Sequence, residues 1–394
     1  MLNHSLPSPP AQTTNRTIGR DEAQRLIRAS GAELDELFEA ARQTRNRRTG
    51  AAITYSRKVF APLTNLCRDR CAYCTFARTD DDPAAHTMTP AEVLAVAEAG
   101  RRAGCKEILF SLGDKPELRY PGHRAWLATQ GFGSTIEYLA AMCRLVFEET
   151  GLLPHSNPGV LTRAEIDLLQ PMNASLGMML ESTSDRLHAP GQAHYRCPDK
   201  VPALRLRTLR DAGEAKVPFT TGILIGIGET LEERIDALFA IKELHDRYGH
   251  IQEVIIQNFR AKPGTLFAHR VEPDLSDLTK TAAVARLILG LEVNLQIPPN
   301  LTPGNFSALL EAGIDDWGGI SPVTLDFINP ERAWPNLTKL REATGRAGFE
   351  LRERLAVYPP YAQARSTWIP SPLREAVAGL TDSSGLVRRG LELW

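Results

Sequence analysis

Short apolar runs alternate with longer amphipathic segments through most of the chain. The runs are rich in β-branched and aromatic residues, which favour strands, and their nearly continuous apolar character is typical of parallel strands covered on both faces. They are KVFAPL, EILFSL, LLPHS, ASLGMML, FTTGILIGI, EVIIQNF and VNLQI, which begin at Lys58, Glu107, Leu152, Ala174, Phe219, Glu253 and Val293. The segments between them have helical spacing. Thr89 and Thr162 have the form of helix N-caps.

Polar residues gather where each predicted strand ends. A barrel of strand-helix units concentrates its chemistry at the carboxyl ends of many strands, whereas an open doubly wound sheet concentrates it in one crevice. Contributions from at least six strands favour the barrel. We therefore predict an α/β fold, a TIM-barrel-like (βα) barrel with a six-strand core that could close to eight. The polar positions are Asn65, 111–114, 155–157, 181–182, 226–229, 257–258, Gln296 and Ser321.

The flanks of the barrel region divide the chain further. Residues 1–17 read as a disordered tail, because LPSPPAQTTN has neither the pattern of a secretory signal nor that of a transit peptide. Residues 18–50 form an N-terminal helical segment, with helical spacing from Arg20 to Arg48. The barrel is predicted over 51–334. Residues 335–394 are then a helical extension packed on the barrel.

Composition limits the kinds of partner. The chain has 394 residues and a formal net charge of -1, so nothing in the charge favours a nucleic acid or an acidic membrane surface. A small-molecule substrate is favoured instead. No apolar run approaches the roughly 18 residues needed to span a bilayer. These features predict a cytoplasmic protein.

Half of the six cysteines lie in the stretch CRDRCAYC, at Cys67, Cys71 and Cys74. A buried helical stripe is one interpretation, but the stretch follows a predicted strand end and belongs to a loop. A structural zinc site is another, although it needs a fourth ligand and His86 is the only nearby candidate. A four-iron cluster held by three thiolates explains the trio better, since it leaves one iron open for a ligand.

The other three cysteines are isolated in sequence. Cys105, Cys143 and Cys197 are predicted to be ordinary small core residues. Cys105 precedes a strand and should lie at the opposite end of the barrel from the loop cysteines.

The C-x3-C-x2-C pattern, with Tyr73 before the third cysteine, resembles the signature of radical S-adenosylmethionine enzymes. The resemblance implies a [4Fe-4S] cluster held by Cys67, Cys71 and Cys74. Its open iron would bind S-adenosylmethionine, and reduction would release a 5'-deoxyadenosyl radical. The cofactors implied are therefore the cluster and S-adenosylmethionine, with an external electron donor as a partner.

Two further segments fit the resemblance. SLGDKPE, 111–117, stands where the superfamily has a Gly-Gly-Glu-like turn, and GILIGIGE, 222–229, is similar to the segment that lines the adenine. Glu181 is placed to accept hydrogen bonds from a ribose or ammonium group. The residues implied to bind the cofactor are Tyr73, Ser111, Gly113, Asp114, Asn157, Glu181, Gly222, Ile225 and Gly226.

The resemblance extends to one family of radical enzymes. YSRKVFAPLTNLCRDRCAYCTFA, GCKEILFSLGDKPE, SNPGVLT, MMLESTS, FTTGILIGIGET, IQNFRAKPGT and GGISPVTLDFINPERAWP resemble the 7,8-didemethyl-8-hydroxy-5-deazariboflavin (FO) synthase family over about 55–335. One half of that family joins a tyrosine-derived group to 5-amino-6-ribitylamino-uracil, and the other closes the deazaflavin ring with loss of ammonia. CRDRCAYCTFA resembles the ring-closing half, the CofG type.

This resemblance implies a radical lyase acting in deazaflavin coenzyme biosynthesis. A separate coupling subunit of the CofH type would then be a partner, through a complex or through a diffusible intermediate. It identifies no catalytic base. The coupling half, a menaquinone-pathway relative and a non-enzymatic metal-binding protein remain alternatives. The residues predicted to hold the uracil and ribityl groups are Gln257, Asn258, Arg260, Gln296 and Ser321.

Overall fold

Eight parallel strands close into a barrel, and a ninth strand pairs with the first. The computed structural model describes residues 17–49 and 52–392. Strand β1 pairs with both β2 and β8, which closes the ring, so the predicted barrel is confirmed with eight strands. The strands are β1 Ala52–Thr64, β2 Glu107–Leu112, β3 Leu153–Asn157, β4 Ser175–Gly177, β5 Phe219–Ile225, β6 Ile251–Asn258, β7 Asn294–Gln296, β8 Asp316–Ile320 and β9 Glu350–Arg354.

Helices follow the strands and cover the outside of the barrel. Thr89, Thr162 and Thr230 each begin a helix with a capping box, in which side chain and backbone satisfy each other's polar groups. The helices are α1 Arg20–Leu26, α2 Ala32–Thr49, α3 Pro90–Arg102, α4 Pro121–Thr129, α5 Thr135–Thr150, α6 Arg163–Leu169, α7 Pro202–Glu214, α8 Leu231–Tyr248, α9 Leu275–Leu289, α10 Phe306–Glu311, α11 Leu337–Arg346, α12 Pro359–Gln363, α13 Arg365–Trp368 and α14 Arg374–Leu380.

The N-terminal helical segment consists of two helices. The continuous helix that the spacing predicts ends at Leu26, and a turn separates it from α2, which begins directly after the left-handed Gly31 with φ 56°. Helix α2 packs along α9 on the outside of the barrel. Apart from Thr17, the predicted tail 1–17 lies outside the described residues. Within the described ranges, no helix combines the length and the apolar character that crossing a bilayer requires.

The segment after the barrel differs from the predicted helical extension because it contains β9. This strand has the sequence ELRER and runs parallel to the first half of β1. Arg352, Glu353 and Arg354 are all buried. Their charges are satisfied by ion pairs with residues distant in sequence, such as Lys106 with Glu353 at 2.9 Å.

The C-terminal segment closes the end of the barrel opposite the cysteine loop. Arg354 bonds Asp316 at the start of β8, with Nε 2.7 Å from Oδ2. The carbonyl of Ala356 accepts a hydrogen bond of 2.7 Å from the Ser175 hydroxyl on β4. Apolar residues of this segment form a separate core cluster that includes Leu153 at the start of β3. The barrel interior is therefore sealed at one end and reached from the other.

Candidate active site

The loop after β1 brings the three clustered cysteines to one cavity at the carboxyl ends of the strands. Cys67, Cys71 and Cys74 lie in irregular structure between β1 and α3, as predicted for a loop and not a helix. All three line a cavity of about 320 Å³. We call it the upper cavity.

The thiols of the loop are buried in surroundings that favour their neutral form. Burial raises the pKa of Cys67 and of Cys74. The hydrogen bond with Cys197, followed by burial, raises the pKa of Cys71. Buried thiols become thiolates when a metal cation compensates the charge, so this donor set suits a cationic metal centre.

Gly113 allows the turn after β2 to pass directly beneath the cysteine loop. A Cβ atom at this position would lie 1.9 Å from the Leu66 carbonyl oxygen and 2.6 Å from Cys67 Cβ. The next residue, Asp114, donates its backbone N–H to Cys67 Sγ at 3.2 Å. Only a residue without a side chain permits this close approach. The turn thus fixes the position of the first cysteine.

Three buried carboxylates lie beside the cysteines. One oxygen from each of Asp69, Asp114 and Asp199 lies within 4.8 Å of the others. Asp199 is paired with Arg68, whereas Asp69 Oδ2 and Asp114 Oδ1 have no hydrogen-bond partner among the described residues. Burial raises the pKa of Asp69 and of Asp114. Both unpartnered oxygens belong to residues that line the upper cavity, where an ammonium group would satisfy them.

Glu181 is held at the cavity wall by three side chains. Its Oε1 accepts a hydrogen bond of 2.5 Å from Lys200, and its Oε2 accepts one of 2.5 Å from the Tyr73 hydroxyl. His194 Nε2 lies 3.0 Å from the same Oε2. Burial alone would raise the pKa of Glu181, but Lys200 and His194 outweigh it and hold the pKa well below the usual range.

The backbone of Glu181 is strained. Its φ of 65° is left-handed, which is uncommon for a residue other than glycine and costs about 1 kcal/mol or more. Such strain persists only where the surroundings fix it, and it concentrates at functional sites. The site therefore presents an ionised, oriented carboxylate.

Most of the predicted site residues lie at the upper cavity, but five do not. Gly222 faces the backbone of Ile255, Gly226 packs on Pro273, and Ile225 is fully buried in the core. Their small or apolar character serves packing of β5. Ser321 caps the turn after β8, where its Oγ accepts from the backbone of Thr324. Gln296 lines a second cavity. The predicted residues at the upper cavity are Cys67, Cys71, Tyr73, Cys74, Ser111, Gly113, Asp114, Asn157, Glu181, Gln257, Asn258 and Arg260.

A second cavity of about 170 Å³ lies deeper in the barrel, and we call it the lower cavity. Asn157 and Gln257 line both cavities, so the two are adjacent. On β3, His155 lies two residues before Asn157, about 6.6 Å deeper at 3.3 Å per residue. The lower cavity extends to Arg354 and Ala356 of the segment that seals the barrel.

Several residues of the site are not predicted by the sequence. Asp69 stands between the cysteines, so its place in the pattern is the one signal that could have found it. Cys197 is buried as expected, but its Sγ lies 3.8 Å from Cys71 Sγ, so it is a neighbour of the site and not a remote core residue. Other cavity residues that the prediction missed include Lys200, Arg205 and Lys262, whereas Leu224 lies in the segment 222–229 that the resemblance indicates.

Comparison with known proteins identifies relatives over most of the chain. The family model described as "Radical SAM superfamily" matches residues 61–241. The chain is 50% identical over 336 residues to the 7,8-didemethyl-8-hydroxy-5-deazariboflavin synthase of Methanopyrus kandleri, a match that covers 85% of this chain and 100% of that protein. It is 50% identical over 376 residues to the FO synthase of Streptomyces avermitilis. That match covers 93% of this chain but only 44% of the Streptomyces protein.

Solved structures share the fold at low sequence identity. The hydrogenase maturase HydG from Carboxydothermus hydrogenoformans aligns with a TM-score of 0.69 and 20% identity, over 86% of this chain and 77% of that one. Methylornithine synthase (PylB) aligns with a TM-score of 0.67 and 17% identity, over 85% of this chain and 94% of that one.

Proposed function

The chain belongs to the 7,8-didemethyl-8-hydroxy-5-deazariboflavin synthase family, and from this premise we propose that it catalyses radical ring closure of the deazaflavin. The substrate is the adduct of a tyrosine-derived group with 5-amino-6-ribitylamino-uracil, and the reaction releases ammonia. The observation that carries the proposal is the meeting of Cys67, Cys71 and Cys74 at one cavity, in a chain that matches the whole Methanopyrus synthase.

The residues of the upper cavity fit the cofactors of the superfamily. Cys67, Cys71 and Cys74 would hold a [4Fe-4S] cluster, and the set offers three thiols where a closed site has four protein ligands. The unpartnered oxygens of Asp69 and Asp114 suit the ammonium group of S-adenosylmethionine. When bound, the two cofactors together supply a 5'-deoxyadenosyl radical, which removes a hydrogen atom from the substrate.

The protein positions the cofactor and the substrate. The ionised Glu181 is oriented to accept hydrogen bonds from a ribose or an ammonium group, and Lys200 beside it offers a cation to a carboxylate. Asn157 and Gln257 lie at the junction of the two cavities, where side-chain amides can bind carbonyl and N–H groups of a pyrimidine. The closed barrel floor admits water from one side only. A radical held in such a cavity is protected from solvent.

The curated relatives differ in length. The chain spans about half of the FO synthases of Streptomyces and Nocardia, 44% and 46% of their length. The Methanopyrus synthase, in contrast, is matched completely. We propose that a separate coupling subunit makes the substrate for this chain, and that an external donor supplies the electron.

The test is ring closure by the anaerobically reconstituted protein. Supplied with the coupled adduct, S-adenosylmethionine and a reductant, it is expected to release 5'-deoxyadenosine, ammonia and a fluorescent deazaflavin. Formation of 5'-deoxyadenosine only with tyrosine plus the ribitylaminouracil would assign the chain to the coupling reaction instead. One zinc per chain and no acid-labile sulfide would exclude radical chemistry altogether.

A further inference from the structure

The lower cavity has polar side chains in its walls at a depth where a barrel interior is ordinarily filled by aliphatic side chains. Its deepest walls carry Lys58 of β1, His155 of β3 and Gln296 of β7, with Glu253 and Arg354 beneath. Each is buried from bulk solvent. Buried polar groups need partners, so hydrogen-bonding capacity left open at this depth indicates a polar ligand.

Gln296 provides the clearest open capacity. It is 5% exposed, and its side-chain amide makes no hydrogen bond to any described residue. The amide packs against Gly318, where a Cβ atom would lie 2.2 Å from its Nε2. The neighbouring strand thus leaves space for this side chain at the wall of the cavity. A free amide offers donors and an acceptor at one place.

The surrounding hydrogen bonds determine which ring nitrogen of His155 is a hydrogen-bond acceptor. The Ser175 hydroxyl gives its proton to the Ala356 carbonyl, so its oxygen must accept from His155 Nδ1–H, at 2.6 Å. Nε2 then carries a lone pair, and it has no partner among the described residues. Burial, with Lys58 and Arg354 nearby, holds the pKa of His155 well below its usual value. The ring is neutral and presents an acceptor.

The charges at this depth are balanced within the protein. Lys58 Nζ lies 2.6 Å from Glu107 Oε1, and Arg354 Nε lies 2.7 Å from Asp316 Oδ2. A further carboxyl group, Glu253, accepts from Arg354 at 3.4 Å, and burial raises its pKa. No cation in this part of the described barrel is left without a carboxylate. A ligand that brings its own charge would meet no counterion here.

We propose that the lower cavity binds the ribityl chain of the substrate through Gln296, His155 and Lys58, and that its balanced charges exclude a phosphorylated chain. This inference rests on the proposed function. The reacting end of the substrate must face the upper cavity with the cysteines, so the arm that takes no part in the reaction lies in the lower one. A polyol offers donors and acceptors without net charge, as these walls require. A phosphate dianion would lie beside Glu253, and the cations Lys58 and Arg354 already have carboxylate partners.

The test is binding of three deazaflavins to the full chain, loaded anaerobically with iron and sulfide. The probes are 7,8-didemethyl-8-hydroxy-5-deazariboflavin, its 5'-phosphate ester and an analogue with a methyl group in place of the ribityl chain. Their fluorescence anisotropy gives a dissociation constant without turnover. We expect the methyl analogue to bind at least about tenfold more weakly, since several buried hydrogen bonds are lost. The phosphate ester should bind about a hundredfold more weakly, because its charge is buried without a partner.

Variants test whether the Gln296 side chain causes the difference in affinity between the ribityl compound and the methyl analogue. Gln296→Leu should weaken binding of the ribityl compound about tenfold and leave the methyl analogue unchanged. Gln130→Leu, at an exposed glutamine outside both cavities, is the matched control. If a variant fails to fold, the affinities of the three compounds for the unaltered protein still test the inference. Equal affinity for all three compounds would overturn the inference and leave the proposed function standing. Failure of all three to bind would overturn both.

Discussion

Replacing Gly113 by alanine tests whether the turn after β2 positions the cysteine loop. The added methyl group would lie 1.9 Å from the Leu66 carbonyl oxygen, where real contacts of a Cβ atom are essentially never under 3.0 Å. The turn or the loop must therefore move by about 1.1 Å, the difference between those two distances. Both sides of the clash are backbone or the first atoms of a side chain, so neither can rotate away.

The expected cost follows from overpacking. Inserting a methyl group into a filled site costs about 1–3 kcal/mol. Because the displaced atoms belong to a single loop at the barrel mouth, the fold should survive, with Tm lowered by about 5 °C or less. A metal site tolerates displacement of only about 0.5 Å. We therefore expect cluster content to fall about tenfold, far more than the loss of stability suggests.

The assay is iron and acid-labile sulfide per chain after anaerobic reconstitution, with thermal unfolding measured in parallel. Gly122→Ala is the matched control, because Gly122 lies in the first turn of α4 and has open space around its Cα atom. That variant should load iron and sulfide normally. If Gly113→Ala does so too, the turn does not fix the loop and our account of its close approach is wrong.

Three other predictions concern the site, the pH dependence and the barrel floor. Alanine at any one of the three loop cysteines should abolish S-adenosylmethionine cleavage without unfolding the barrel. The control Cys105→Ala, at the other end of the barrel, should retain this cleavage. Unfolding of all three loop variants would show that the metal is structural. Burial lowers the pKa of His250 to about 3, so the unfolded chain takes up a proton below pH 6.5 that the folded chain does not, and stability is lost as pH falls. In urea titrations between about pH 4 and 6, His250→Gln should therefore reduce the slope of unfolding free energy against pH by about 1.4 kcal/mol per unit, and parallel curves would contradict this. Arg354→Met leaves Asp316 buried and unpaired, so it should cost about 3–5 kcal/mol, most of it recovered in the double variant with Asp316→Asn; a loss below about 1 kcal/mol would show that the pair is not needed.

The strands that the sequence predicts are those whose own residues are apolar. Strands β1 to β7 are covered on both faces by the barrel interior and its helices, so their composition alone indicates them. Strand β8, DWGGI, is rich in glycine, and β9, ELRER, consists largely of charges. The charged side chains of β9 are satisfied by Lys106 and Asp316, which no local window of sequence contains. Because tertiary ion pairs satisfy its charges, this strand cannot be recognised from its local sequence.

The same limit applies to the site. The clustering of the three cysteines is visible in the sequence itself, and the resemblance of the turn 111–117 indicates Gly113; the structure brings all four residues to one cavity. Lys200 and Arg205 reach the upper cavity from the segment after β4, and their sequence neighbours give no indication of it. Gly222 shows a second limit, since the sequence does not tell whether a glycine in a motif serves close packing of strands, as it does against Ile255, or approach of a ligand.

Because the floor of the barrel is sealed, its interior is open at one end only. Molecules that enter at the carboxyl ends of the strands must leave at that same end of the barrel. On the proposed function, a substrate whose arm fills the lower cavity and a nucleoside cofactor near the cysteines would share this one entrance. We therefore expect the two to bind in a fixed order, with the substrate first.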